Sequence, residues 1–460
     1  MKNRNTIWLA VVSVLAAATC AATLAAQAQR PAPAAAQETG PITLALVGGR
    51  LIDGYGGPPL EDSVILIRGG RIAAVGQVGR LDVPAGVRVI STEGMTVMPG
   101  LIDLHVHYDI VGHNNYGEFF PKYLPQMRTL IMPLAAKLML HAGVTSARDL
   151  GGNPDDMLRL REQINSGKMP GPRTFVAGPF LRKSVSRLGE LRHDTWVVKD
   201  PDDARQKVRD LVKLGVDVVK TQDEAFSVEE YRAIYDEARK HRLRVATHLF
   251  TQPAIRRALQ GGIGAFDTLE HIGDGPEPEF AADIVQGVVE SEVGVVPTEV
   301  AVDGFRQLVL YPEFRDHPRF RESFPPELWA DIRASYENIQ QHPLYHDAVY
   351  EREGRIGKLR QLKRAGARFY LGTDSGSRGN PHHAAAWREM VQFVEAGLSP
   401  METILASTYG PARVLGRGND LGTVAAGKLA DIIVVDGDPL QNMAAMERVV
   451  HVVQDGKVVR

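Results

Sequence analysis

The stretch that decides the fold is Pro99-Gly100-Leu101-Ile102-Asp103-Leu104-His105-Val106-His107. It is apolar, begins after a Pro-Gly pair and ends in two histidines, which is typical of a buried strand. Residues two apart in a strand point to the same face, so His105 and His107 enter one space. Two imidazoles at a strand's C-terminal end make half of a metal site. The alternative is that both are ordinary polar residues at a strand exit.

Downstream of this stretch, apolar strands alternate with amphipathic helical segments. The helical pattern is clearest at 202–214, 228–241 and 254–261. Eight such units predict an α/β fold of the (β/α)₈ TIM-barrel type over residues 98–420, with its chemistry at the strands' C-terminal ends. The alternative is a doubly wound sheet, which the lack of a glycine-rich loop after the first strand disfavours. The predicted strands are Leu101–His107, Val144–Asp149, Thr174–Ala177, Val216–Lys220, Arg244–His248, Thr268–His271, Gly294–Thr298 and Arg368–Asp374.

Both ends of the chain carry short β-rich segments separated by glycine-rich turns. We expect residues 41–97 and 421–460 to form a small β-sandwich domain beside the barrel, because no helical pattern there is long enough to compete. The barrel also has two long insertions rich in aromatic residues, 109–127 and 301–350. Long loops on the catalytic rim shape substrate pockets, so these aromatics are expected to suit an apolar or aromatic acyl group.

The N-terminus has the pattern of a secretory signal peptide. Two basic residues precede an apolar run, and Ala26-Gln27-Ala28 matches a cleavage signal. We expect a signal peptide at 1–28, a flexible lead-in at 29–40, and a periplasmic or secreted mature protein with no membrane association. A retained anchor is the alternative. The one cysteine, Cys20, lies inside the signal, so disulfides and thiol chemistry are not expected.

The bulk charge gives no reason to expect a polyanionic partner. The 460 residues carry a formal net charge of −2 with 23% charged residues. Nucleic-acid binding and attachment to an anionic membrane therefore have no electrostatic support.

Four more chemically active residues close predicted strands: Lys220, His248, His271 and Asp374. A lysine that ends an apolar strand is costly to bury unless it is paired or modified. Together with the two histidines of the first strand, these groups form a set of six at one rim of the predicted barrel. Such a set predicts a metal-dependent active site.

At this point the chain resembles the amidohydrolase superfamily, over roughly 43–460. It is most similar to the branch of prolidase-like and other metallo-dipeptidases, with imidazolonepropionase-related hydrolases and ochratoxin-type amidases nearby. The motifs that carry the resemblance are 98–107, Gly143-Val144-Thr145-Ser146-Ala147-Arg148-Asp149, Leu269-Glu270-His271, Gly372-Thr373-Asp374-Ser375-Gly376 and Ala426-Gly427-Lys428-Leu429-Ala430-Asp431.

The resemblance implies a site of two divalent ions, expected to be zinc. By this likeness His105, His107 and Asp374 hold one ion, His248 and His271 hold the other, and an N6-carboxylated Lys220 bridges them. The implied reaction is metal-hydroxide attack on the carbonyl of a peptide-like amide, such as a dipeptide or an N-acyl amino acid. Asp374 is then expected to pass the proton to the leaving amine.

Substrate contacts are less well marked by the sequence. Basic or polar residues that could bind a substrate carboxylate or carbonyl are His141, Arg182, Tyr231, Arg378 and His382, with Arg187 and His383 as further candidates. Two other functions stay open: hydrolysis of cyclic amides or lactones at the same site, and a non-catalytic binding protein on this barrel. A homo-oligomer is compatible with the sequence.

Overall fold

The structure, a computed structural model, describes residues 40–312 and 318–460. The predicted signal peptide and almost all of the lead-in lie outside these residues, so both stay predictions. Within the described part, no helix is both long enough and apolar enough to cross a bilayer.

The strands of the described residues are numbered here in chain order. They are β1 (Leu44–Leu51), β2 (Leu60–Arg68), β3 (Arg71–Gln77), β4 (Arg88–Ser91), β5 (Thr96–Pro99), β6 (Leu101–Val106), β7 (Val144–Asp149), β8 (Arg173–Val176), β9 (Phe180–Arg182), β10 (Thr195–Val197), β11 (Val218–Thr221), β12 (Arg244–His248), β13 (Thr268–Glu270), β14 (Gly294–Val296), β15 (Arg368–Phe369), β16 (Ile432–Val435), β17 (Val449–Gln454) and β18 (Lys457–Val458).

The α-helices lie mostly between the strands from β6 onward. They are Tyr116–Tyr123, Met132–His141, Pro154–Asn165, Arg187–Arg192, Pro201–Leu214, Val228–Lys240, Gln252–Gly261, Ala282–Glu290, Glu299–Val302, Gly304–Leu310, Pro318–Ser323, Pro326–Ala334, Pro343–Ala365, His382–Glu395, Pro400–Ser407 and Tyr409–Val414.

Local signals explain where the predicted helices begin and end. Asp200 caps Pro201–Leu214 by accepting from the backbone N–H groups of the first turn, and Gly215 ends that helix with φ of 76°. Ser227 starts the helix Val228–Lys240 with a capping box. The third predicted segment, 254–261, lies within the helix Gln252–Gly261. All three helical segments predicted from periodicity are therefore present.

Strands from both chain ends pair in one mixed sheet of eight strands. Its order is β18-β17-β16-β5-β1-β2-β3, and β4 also lies beside β1. The two ends pair as strands through antiparallel β16 and β5, in which Ile433 faces Met98. The strands are joined side by side through hydrogen bonds, and the second layer that a β-sandwich needs is not established. The sandwich and its boundaries stay predictions.

The eight strands predicted for the barrel are all present as parallel strands in two sheets. One sheet has the order β6-β7-β8, and the other has the order β10-β9-β11-β12-β13-β14-β15. The three-residue strands β9 and β10 were not predicted, because they are too short to show a periodic pattern. The last strand is shorter than predicted: after Phe369 the chain leaves the regular ladder, and Leu371 donates to the carbonyl of Ala406 instead.

Backbone hydrogen bonds connect the two parallel sheets at both gaps. On one side the N–H of Leu104 donates to Leu371 O at 2.9 Å. On the other side the N–H of Asp217 donates to Val176 O at 2.9 Å. The strand ends that carry the candidate site therefore meet at one rim of the parallel strands.

Most aromatic residues of the first insertion belong to the core. Phe119, Phe120 and Tyr123 are buried and pack against one another with ring centroids 5.2–5.3 Å apart. The expectation that these insertion aromatics line a substrate pocket is wrong for these three side chains. Burial of their apolar surface stabilises the fold. Of the insertion's aromatic residues, Tyr116 lines the cavity that is described below over the candidate site.

Candidate active site

Four of the predicted ligands lie in direct contact. His107 Nε2 is 3.2 Å and His105 Nε2 is 3.8 Å from the same Asp374 carboxylate oxygen. Lys220 Nζ lies 3.5 Å from His105 Nε2. The donor atoms of the two histidines and the aspartate lie within 4.8 Å of one another, which is compatible with ligation of a single ion.

The other two predicted ligands lie beside this group. The ring of His271 is 4.6 Å from the ring of His105 and 4.5 Å from the ring of His248, between centroids. The structure therefore brings together all six residues that the sequence placed at strand ends, although β6 and β13 are far apart in the chain.

Unusual backbone conformations turn two of these side chains toward the site. His271 and Asp374 have φ of 66° and 51°, and Thr298, which bonds His271, has φ of 51°. Residues other than glycine rarely adopt this left-handed region, at a cost of about 1–3 kcal/mol each. Asp374 is held in place because its N–H donates to His105 O at 2.6 Å. Strain concentrated where strands end is a common feature of functional sites.

Hydrogen bonds at Nδ1 orient three of the imidazoles. Nδ1 of His105 lies 2.8 Å from a Glu270 oxygen, Nδ1 of His107 lies 3.2 Å from Gly151 O, and Nδ1 of His271 lies 2.6 Å from Thr298 Oγ1. These bonds leave the Nε2 atoms free to act as ligands, the arrangement common in metal sites.

The donor set fits divalent cations. Burial holds the pKa of His105, His248 and His271 well below the usual histidine value, so their rings are neutral. Nδ1 of His248 is buried and has no hydrogen-bond partner among the described residues. A buried imidazole nitrogen without a partner is costly, and a cation would satisfy it.

Lys220 is almost fully buried, with 1% of its surface exposed. Burial lowers the pKa of its amine to about 8, although the carboxylates of Glu270 and Asp374 act in the opposite direction. A buried amine that loses its proton near neutral pH is nucleophilic, which suits reaction with CO₂.

A buried ion pair that sequence reasoning missed supports the site from behind. Glu270 bonds His105 with one oxygen and pairs with Arg148 at 2.9 Å through the other, and both side chains are inaccessible. Arg148 also donates through Nε to Leu104 O at 2.6 Å. The sequence could have indicated this ion pair, because Arg148 is a charged residue inside an apolar strand and such a residue needs a partner when it is buried.

Asp103 has a similar supporting role on the other side of the site. Its carboxylate accepts from the N–H of His105 at 3.1 Å and from the hydroxyl of Thr373 at 2.6 Å. Burial raises the pKa of Asp103 to about 7, against these hydrogen bonds. Asp103 thus ties β6 to the segment that presents Asp374.

We expect Glu270→Gln to weaken both metal retention and folding. The amide cannot neutralise Arg148, and breaking a buried ion pair costs about 3–5 kcal/mol. Loss of the hydrogen bond that orients His105 should lower metal affinity about 10- to 100-fold. Urea unfolding and metal titration measure the two effects. The matched control is Glu402→Gln, because Glu402 forms a half-exposed ion pair with Lys363. This variant should change the free energy of unfolding by less than about 1 kcal/mol. Equal stability and metal affinity in the two variants would contradict the supporting role of Glu270.

A cavity of about 430 Å³ opens over the candidate ligands. This volume is in the range of small-molecule sites. Phe250, Phe305 and Tyr116 contribute apolar surface to its wall. The sequence did not identify most of its charged lining residues, which are Arg192, Asp274, Asp347, Glu351 and Arg355. Their exposure to the cavity depends on how the insertion helices pack, which periodicity does not reveal.

Two of the predicted substrate-binding residues lie at or beside the cavity. Arg378 lines it, and its guanidinium lies 4.2 Å from the ring centroid of Tyr116. Arg182 does not line the cavity, but its Nε donates to Gln222, which does, at 3.1 Å.

Three more of the predicted substrate contacts, Tyr231, His382 and His141, do not line this cavity. Tyr231 is fully buried, with its hydroxyl bonded to Asp223 O and its ring stacked on Tyr235. His382 is buried behind the site, where its Nε2 lies 2.9 Å from the carbonyl of His107. His141 ends a helix and lines a separate cavity. Tyr231 and His382 face packed layers because helix rotation, not residue type, decides their direction.

Comparison with known proteins agrees with this geometry. The chain is 24% identical to the ochratoxinase of Aspergillus niger, over 94% of this chain and 89% of that protein. The fold matches a Xaa-Pro dipeptidase (TM-score 0.71, 24% identity, 91% of this chain and 99% of that one). It also matches a prolidase solved with N-methylphosphonate-L-proline (TM-score 0.70, 26% identity, 91% and 99%).

A family model supplies the assignment. The model of the amidohydrolase family matches residues 96–459, which is most of the chain and includes every candidate ligand. The chain belongs to the amidohydrolase family and is a hydrolase of carbon–nitrogen amide bonds.

Proposed function

We propose that this protein is an exported amidohydrolase with two divalent metal ions that cleaves peptide-like amides, such as dipeptides or N-acyl amino acids. The observation that carries the proposal is the convergence of six metal-competent side chains at the ends of β6, β11, β12 and β13 and after β15. Membership of the amidohydrolase family leaves no support for the alternative of a non-catalytic binding protein.

His105, His107 and Asp374 would hold one ion, and His248 and His271 would hold the other. Neutral imidazoles and a carboxylate are the ligands that zinc prefers in catalytic sites. The Nδ1 atom of His248 that lacks a partner supports this assignment, because an ion there would satisfy it.

Lys220 would bridge the two ions as its carbamate. The neutral amine adds to CO₂, a C–N bond forms, and one proton leaves. The product would be an anion in place of the neutral amine, and two neighbouring cations would stabilise it. The contact of Lys220 with His105 and its near-complete burial support this role.

Bound ions would lower the pKa of a shared water and polarise the scissile carbonyl. Asp374 has the position of the proton carrier: its carboxylate reaches the cavity, and its backbone is fixed on both sides by bonds to His105 and Asn380. It would accept the proton of the attacking water and return it to the leaving nitrogen. Arg378 lies on the same loop, where it can position a substrate carboxylate.

We also propose that the two parallel sheets form one closed (β/α)₈ barrel. The hydrogen bonds from Leu104 to Leu371 and from Asp217 to Val176, one at each gap between the sheets, support closure. In such a barrel the active site lies at the C-terminal ends of the strands, where all six candidate ligands are found.

The substrate class follows from the cavity and from the relatives. A volume of about 430 Å³ with apolar walls and charged groups of both signs suits a small amide that carries ionised ends. Similar proteins include an ochratoxinase and a Xaa-Pro dipeptidase.

Metal analysis combined with a substrate panel tests the proposal. We expect activity on a dipeptide or an N-acyl amino acid, its loss on dialysis against a chelator, and its return with zinc. The panel includes cyclic amides and lactones, so that turnover of these alone would favour the alternative bond class. Full activity in metal-free protein would overturn the proposed mechanism.

Export is a separate part of the proposal, based on the N-terminal pattern of 1–28. Expression of the full chain in a Gram-negative host, followed by fractionation and N-terminal sequencing, should find periplasmic protein that begins after Ala28. Protein that stays in the cytoplasm with its N-terminus intact would contradict export.

A further inference from the structure

The cavity over the candidate ligands adjoins a second, larger one, and the two share part of their lining. The outer cavity has a volume of about 1140 Å³ and shares Tyr116, Leu344 and Arg378 with the inner cavity. We call the two cavities the inner and outer chambers, and the three shared residues the neck. A substrate held at the ligands and extended past these three residues would enter the outer chamber.

The neck is a fixed structure. The Arg378 guanidinium stacks on the ring of Tyr116, and its Nε donates to Asn114 O at 2.9 Å. This arrangement places an aromatic ring and a planar cation together at the boundary of the two chambers. Leu344 supplies apolar surface to both chambers.

The outer chamber exposes apolar side chains among polar and charged ones. Leu191 and Leu344 are 39% and 38% exposed, and Leu188 and Pro121 also contribute to the wall. Exposed leucines gathered in a concave surface mark a binding site for apolar groups, whereas isolated ones on a convex surface do not.

The inner chamber carries charged groups of both signs beside its apolar walls. Asp274 and Glu351 line it beside Arg355, whose guanidinium is held by Glu299 at 2.7 Å. Nη1 of Arg355 is buried and has no hydrogen-bond partner among the described residues. A donor of this kind in a cavity wall is suited to an oxygen of a bound ligand.

We infer that the substrates are amides with a polar amino-acid half in the inner chamber and a long apolar acyl chain in the outer chamber. This rests on the proposed amide hydrolysis and deepens it by naming the substrate class as N-acyl amino acids with extended acyl groups. The acyl chain passes the neck between Leu344 and the Arg378–Tyr116 pair. Leu191 and Leu344 set the preference for chain length.

A chain-length series tests the inference. Acetyl, hexanoyl and dodecanoyl derivatives of one amino acid are compared by kcat/KM, below the concentration at which the longest forms micelles. Each buried methylene contributes up to about fourfold, so we expect the dodecanoyl compound to exceed the acetyl compound by at least about tenfold. A flat series with measurable amide hydrolysis would overturn the inference and leave the proposed function intact. No metal-dependent hydrolysis of any amide would overturn both.

Two variants test the chambers directly. Leu191→Asp and Leu344→Asp place a charge beside the acyl chain, and each should lower the dodecanoyl-to-acetyl ratio of kcat/KM by about tenfold. Both positions are exposed, and Leu344 lies in the first turn of a helix, where an acidic residue is favourable. Val78→Asp, at an exposed position in the turn after β3, is the matched control and should keep the wild-type ratio. Unchanged ratios in both chamber variants, with folding verified by thermal melts, would overturn the assignment.

Discussion

Replacing Asp374 by asparagine should reduce kcat for amide hydrolysis by about a thousandfold or more. The substitution keeps the size of the side chain but removes the group that would accept and return a proton, and a positioned acid or base contributes about 10²- to 10⁴-fold. Asp374 is also 3.2 Å from His107 Nε2, so the variant removes an anionic donor from a candidate ion site. Steady-state kinetics on the best substrate of the dipeptide panel measure the loss.

The two roles of Asp374 can be separated. Metal analysis of Asp374→Asn reports ligation, and the pH dependence of the residual rate reports proton transfer. A variant that keeps the wild-type metal content but loses kcat would assign the loss to proton transfer. Asp236→Asn, at a half-exposed helix position, is the control and should match the wild type. A variant of Asp374 with wild-type kcat would exclude it as the proton carrier.

The site ligands could be predicted because they depend on the shortest-range geometry. His105 and His107 share a face through the strand period of two, Lys220 is the next-to-last residue of β11, and His248 is the last residue of β12. Because the strands are parallel, their C-terminal ends lie at one rim, and this does not depend on the conformation of the loops. No information about helix packing is needed for this inference.

Glu270 and His271 show where strand periodicity fails. Adjacent residues in a regular strand point to opposite faces, so a sequence reader assigns only one of them to the site. The left-handed backbone at His271 breaks this alternation, and both side chains reach His105, one as a hydrogen-bond partner and one as a neighbouring ring. A strained residue of this kind cannot be identified from residue type alone.

The substrate-facing residues could not be predicted for a different reason. Tyr231 and Arg355 both lie on helices, yet Tyr231 packs in the core and Arg355 lines the cavity. The difference is set by close helix packing: a side chain on Gly354 would meet the carbonyl of Gly275 at 2.5 Å, so this face of the helix lies against the loop after β13. Such contacts between distant segments fix the rotation of the helix and hence the lining of the inner chamber.

Replacing Lys220 by alanine should have the second largest effect on activity. If a Lys220 carbamate bridges two ions, the variant should retain about one equivalent of metal where the wild type holds about two. Loss of a supporting group behind a metal ligand already costs 10- to 100-fold, so loss of a bridging ligand should lower kcat by more than about a hundredfold. Metal analysis and kinetics on the same preparation give both numbers.

Chemical rescue distinguishes a bridging anion from a structural lysine. Lys220 is buried and touches His105, so its removal leaves a space beside the candidate ligands in which a small carboxylate can act as the carbamate does. Formate or acetate should restore part of the metal content and of kcat in Lys220→Ala, with no effect on the wild type. The control Lys213→Ala, whose side chain is 72% exposed, should need no rescue. Full metal content and rate in Lys220→Ala without added carboxylate would show that the two ions, if both bind, are held without this residue.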